Sequence, residues 1–206
     1  MLKNYEELSP EAIDCLREIG NIGSSYAAGA LSQMLGKSVS MNVPDVKVVE
    51  YQSVIDEMGG PEKIITGILV LLNGDIEGMF MFLLEDDFAK ITLSTFLGKQ
   101  NINVTELDEN DYSVIREMGS IMSGSYLGAL SQLTDMKINM SVPSMTVDMM
   151  GAIMNAPMIA FSDVGDKALF INNGFVIDGV KIKSNITLIP TVQSLDILMK
   201  KLGVIQ

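Results

Sequence analysis

Asp14, Glu18 and Asn21 stand at i, i+4 and i+7, a spacing that stacks three polar side chains on one face of a helix. Such a set holds no strong nucleophile and no metal cage. A carboxylate can fix a partner's cation. A carboxamide both donates and accepts hydrogen bonds, so it can orient a water molecule without acting as a base. Small residues lie around them, Gly20, Gly23 and Ser25 among them, which predicts a shallow polar surface rather than a deep pocket. On an arbitrary helix that face would simply be solvated.

The face is not arbitrary, because most of it occurs twice. Glu18 reappears as Glu117, Gly20 as Gly119, the run Gly29-Ala30-Leu31-Ser32-Gln33 as Gly128-Ala129-Leu130-Ser131-Gln132, and Pro44 as Pro143, all at an offset of 99. Ser113 takes the place of Asp14, and Ser120 that of Asn21. The chain is two copies of one unit, and a duplicated unit carries a duplicated site unless one copy has drifted.

Composition narrows the chemistry further. There is no histidine and one cysteine, Cys15, which excludes His triads, Cys-His dyads and the usual zinc sites. No glycine-rich phosphate loop with its lysine is present. The net charge of −12 argues against nucleic acid, which requires a basic footprint. No apolar run is long enough to span a membrane, no secretory leader is visible, and a lone cysteine suits a reducing compartment. A cytoplasmic protein without membrane insertion is expected.

The elements that must position the polar face follow from local signals. Ser9-Pro10-Glu11 is a helix start, and an amphipathic face runs on to Met34. Residues 37–51 read as extended, broken at Pro44, and 53–58 as a short helix closed by Gly59-Gly60-Pro61. Residues 64–84 read as a hairpin with Asn73-Gly74 as a type I′ turn. Asp86-Asp87 is expected to cap a helix that Gly98 ends. The order repeats: a long helix over 107–134, a strand over 137–147, a short helix over 148–156, a hairpin at Asp178-Gly179 and a helix over 191–202. The expectation is an α+β fold, one domain over 1–206. Two pseudo-symmetric helix-strand-helix-hairpin-helix repeats, about 10–98 and 107–203, share a sheet, and neither can bury its core alone.

The pattern [Asp/Ser]-x3-Glu-x2-Asn-x22-Pro, complete at Asp14, Glu18, Asn21 and Pro44, resembles the signature of the CheC/CheX/FliY phosphatases of chemotaxis. The second copy matches at Ser113, Glu117 and Pro143 and departs at Ser120. The resemblance implies a CheC-like fold and hydrolysis of the aspartyl phosphate of the response regulator CheY. It implies no cofactor of the chain's own, since the regulator supplies the phosphoaspartate and Mg²⁺. Asn21 would orient the attacking water and Glu18 would dock on a regulator lysine, with Asp14 and Ser113 on the partner-binding faces. Glu117 and Ser120 would form a second, impaired site, because serine is shorter and lacks the amide nitrogen.

A second surface follows the second copy. Met145, Met149, Met150, Met154 and Met158 cluster there, and methionine serves both cores and adaptable interfaces. The run Val147-Asp148-Met149-Met150-Gly151-Ala152-Ile153 resembles the family's segment for the deamidase CheD, which implies Asp148, Ala152 and Ile153 as contacts. Beside the phosphatase reading stand a non-catalytic adaptor binding CheD or phosphorylated regulator, and a flagellar-switch component. With two units already in one chain, a monomer is expected.

Overall fold

The computed structural model describes residues 4–42, 44–160 and 167–204. The long helix α1 (Pro10–Leu35) starts where its residues require. Ser9 Oγ accepts the N–H of Ala12 at 3.3 Å, Pro10 occupies the first helical position, and Gly36 ends the helix with a left-handed φ of 62°. Strands β1 (Val39–Met41) and β2 (Asp45–Glu50) follow, with the break between them at Pro44, and then α2 (Tyr51–Glu57). Strands β3 (Ile64–Gly74) and β4 (Gly78–Leu84) and helix α3 (Asp86–Leu97) complete the first repeat. The second comprises α4 (Glu109–Thr134), β5 (Ile138–Met140), β6 (Ser144–Met149), α5 (Met150–Ala160), β7 (Lys167–Ile177), β8 (Val180–Pro190) and α6 (Val192–Lys201).

Eight strands form one antiparallel sheet in the order β1-β7-β8-β4-β3-β5, with β2 also on β7 and β6 also on β3. The repeats therefore interlock. The first repeat's β1 and β2 pair with the second repeat's β7, and β5 and β6 pair with β3. Val46 lies opposite Ile171, and its counterpart Met145 opposite Ile68. Each hairpin tip also ties down the other repeat. Asp178 accepts from Ser38 N–H at 3.1 Å and Lys37 Nζ at 2.9 Å, while Asp75 accepts from Lys137 N–H at 2.7 Å.

The sheet is covered on both sides. Phe80, Phe82 and Leu84 of the central β4 face a large core beneath α1, α3, α4 and α6, and Met79, Met81 and Leu83 face a smaller core beneath α2 and α5. This explains the unbroken apolar run of β4, since a strand covered on both faces has no side to leave polar. Phe80 meets Phe82 edge to face at 5.2 Å and Tyr126 of α4 at 5.0 Å.

Several expectations need correction. Asn73-Gly74 is not the hairpin turn: the β3–β4 ladder closes at Leu72 opposite Gly78, and residues 73–77 connect the strands. Asn73 and Gly74 instead pair with Asn139 and Ile138 of β5. The second hairpin does turn at Asp178-Gly179, whose φ angles of 48° and 85° suit a type I′ turn. At α3 the N-cap is Glu85, which makes no side-chain cap bond, and Asp86 and Asp87 occupy the first turn. The expected helix over 148–156 begins instead at Met150, leaving Asp148 on β6. At α4 the cap is a reciprocal capping box of Asp108 and Asp111.

Candidate functional site

Two of the three glycines inside α1 explain where the helix lies. A Cβ on Gly20 would lie 3.5 Å from Val46 and 3.7 Å from the ring of Pro44, so α1 rests on the β1–β2 connection there. A Cβ on Gly23 would meet the ring of Tyr126 at 2.8 Å, so α1 and α4 approach closely at that point. Gly29 is exposed, with nothing within 4 Å of the corresponding position. In the second copy Gly119 sits against Ile68, at 2.6 Å.

Asn21 follows Gly20 and is half-buried at the edge of the helix. Among the described residues its carboxamide makes no hydrogen bond; Ser25 Oγ donates to its main-chain carbonyl at 2.7 Å. Glu18, a turn earlier, is exposed and forms no ion pair with a described residue. Asp14 is exposed but engaged, accepting from Arg17 Nη1 at 2.5 Å. That pairing was not foreseen, although the i, i+3 spacing of the two residues signals it. In the second copy Ser113 and Glu117 are exposed and Ser120 is half-buried. Ser113 has no charge with which to hold Arg116.

The arrangement is a pair of polar faces, one on each long helix, each with a carboxylate that pairs with no described residue. Only the first has a carboxamide beside it. Partial burial pushes the Cys15 thiol pKa up, which disfavours its reactive thiolate. Among the described residues no cluster of His, Cys, Asp or Glu could hold a metal ion, and no helix is long and apolar enough to cross a membrane. The repeated serines of the Gly-Ala-Leu-Ser-Gln runs are structural. Ser32 Oγ donates to the carbonyl of Lys37 and Ser131 Oγ to that of Met136, both at 2.6 Å, tying each helix end to the chain that follows.

Asp148, Ala152 and Ile153 do come together. They line a groove of about 300 Å³ with Gly67, Met81 and Met145 on the α2–α5 side of the sheet. Asp148 is exposed on β6 and Ala152 half-buried. Ile153 is only 6% exposed and packs on Gly67, so it forms the floor rather than a rim. The methionines divide: Met150 and Met154 are core, while Met149 and Met158 are exposed.

The CheC-like family matches residues 11–48 and 112–147, one segment in each repeat. A CheY-P phosphatase CheC of Bacillus subtilis (strain 168) is 29% identical over 203 residues, 97% of each chain. Among solved structures, FliY of Thermotoga maritima superposes with a TM-score of 0.74 at 25% identity, over 95% of this chain and 99% of that one. The FliM middle domain of H. pylori superposes at 0.67 with 12% identity, over 93% and 99%, a likeness of fold alone. The chain is thus similar to the CheC-like family in both repeats, and to the Bacillus subtilis phosphatase along nearly its full length.

Proposed function

We propose that the chain is a chemotaxis phosphatase that hydrolyses the aspartyl phosphate of a CheY-type response regulator, with Asn21 orienting the attacking water and Glu18 docking the regulator. The observation that carries this reading is the carboxamide of Asn21 at the edge of an exposed helix face, without a hydrogen bond to any described residue and one turn from a carboxylate that pairs with none of them.

An acyl phosphate already has a good leaving group, so its hydrolysis needs positioning and charge stabilisation more than covalent help. The regulator brings the phosphoaspartate and its Mg²⁺. Glu18 pairs with a lysine beside the phosphorylation site and sets the register. The Asn21 carboxamide enters and holds a water in line with phosphorus. The water oxygen bonds to phosphorus as the bond to the aspartyl oxygen breaks. Aspartate and inorganic phosphate are released, and the water's proton leaves with the phosphate or to solvent. The relative from Bacillus subtilis is named for this substrate, and the chain would act in the cytoplasm as a monomer.

Ser120 cannot reach as far, and a misplacement of about 1 Å can cost on the order of 10²-fold in rate, so the second face docks more than it turns over. The test is the decay of phosphorylated regulator with and without the protein. Asn21→Ala should remove most of the acceleration and Ser120→Ala little of it. Full activity in Asn21→Ala would overturn the assignment.

A second role is supported by the groove at Asp148: we propose that it binds CheD, with Asp148 and Ala152 as contacts over the Ile153 floor. Asp148→Lys should weaken that binding, and an unchanged affinity would exclude it. An adaptor without catalysis would leave regulator decay unaffected while binding persisted.

A further inference from the structure

We infer that the second repeat holds the phosphorylated regulator through an apolar groove beside Glu117, with Phe96 as the side chain that sets its affinity. The inference rests on the docking role proposed above for these faces.

Met34, Phe96, Ser113, Val114, Glu117 and Met118 line a groove of about 240 Å³ where the end of α1, the end of α3 and the start of α4 meet. Four of the six are apolar, and Glu117 is the one charged wall. Phe96 is 42% exposed and its neighbour Leu97 40%, a costly arrangement for large apolar side chains that no partner covers. The last turn of α3 has no basic residue, whereas α6, closing the second repeat, ends in Lys200 and Lys201. The ends of the two repeats thus present different chemistry.

Continuity identifies the occupant. Ser113 and Glu117 are both groove wall and the first two positions of the second polar face, so a partner that brings a cation to Glu117 sets its adjacent surface against Phe96. The fitting ligand is the stretch of the regulator that carries the lysine near its acyl phosphate, with an apolar residue beside that lysine. Apolar burial needs no carboxamide, so this binding survives the change to Ser120. Cys15 and Ile19 stand in the first repeat where Val114 and Met118 stand in the second, so the two faces differ in affinity as well as in turnover.

The experiment uses the full chain carrying Asn21→Ala and regulator loaded with beryllofluoride as a stable acyl-phosphate mimic, with the dissociation constant measured by titration. Phe96→Glu should weaken binding by about tenfold or more, a size typical of losing a central interface anchor. Phe96→Leu should stay within about threefold, and Leu97→Glu, with the same charge outside the groove, should have no effect. If Phe96→Glu lowers thermal stability, Met34→Gln on the opposite wall carries the same expectation. Unchanged affinity in the folded groove variant overturns the groove alone. A wild-type chain that neither binds the loaded regulator nor speeds its dephosphorylation overturns the docking role and the groove with it.

Discussion

Gly20 lies against the ring of Pro44, with 3.7 Å between Pro44 Cγ and the point where a Cβ on residue 20 would be. This contact joins the two ends of the repeated window. The proline, 23 positions beyond Asn21, is part of the seat that holds the carboxamide's helix at a fixed height above the sheet.

The two seats respond differently to one methyl group. At Gly20 every described neighbour lies at 3.5 Å or beyond, so Gly20→Ala should stabilise the protein by about 0.5–1 kcal/mol through helix propensity. At Gly119 the new methyl would lie 2.6 Å from the buried Ile68, and Gly119→Ala should cost about 1–3 kcal/mol. Denaturant unfolding of both variants checks the opposite signs.

Restoring the missing amide should restore turnover. In an Asn21→Ala background, Ser120→Asn should speed the decay of phosphorylated regulator by at least about tenfold over the single variant. No gain would mean that the second face lacks more than the carboxamide.

The Asp178 seam should make stability depend on acidity. The hydrogen bond from Lys37, and then that from the Ser38 N–H, hold the Asp178 carboxyl below its ordinary value of 3.8. A depressed folded-state pKa stabilises above the unfolded value and loses that contribution as pH falls through the folded one. Asp178→Asn should therefore be less stable than wild type at pH 7, with the gap closing below about pH 3.8. Because the pair is exposed the effect is small. Urea midpoints at pH 7, 4 and 3 measure it.

Neither repeat should fold alone. A fragment covering 1–106 leaves β3 without β5 and β6, and β1 and β2 without β7. Circular dichroism of the fragment should show no cooperative thermal transition, and mixing it with 107–206 should recover one. A sharp transition in the isolated fragment would contradict the interlock.

The sequence makes the long helices, their ends and the polar faces legible, because caps, glycines and spacing act locally. Ser9-Pro10, Gly36 and Asp178-Gly179 do what their types require. Asn73-Gly74 misleads for a physical reason. Glycine is required at 74, where φ is 108°, because the carbonyl of Lys137 would lie 2.3 Å from any Cβ there. That demand comes from a residue more than sixty positions away, just before β5, and no local pattern records it. The groove at Phe96 is invisible for the same reason, since its walls come from three separate helices.

The exchange of strands between halves has a further consequence for how such a protein can change over generations. The bed under Asn21 includes Ile171, which belongs to the later half, and the bed under Ser120's helix includes Ile68, which belongs to the earlier one. Each half rests in part on the other. A substitution at Ile171 or Ile68 in one half therefore acts on the polar face carried by the other.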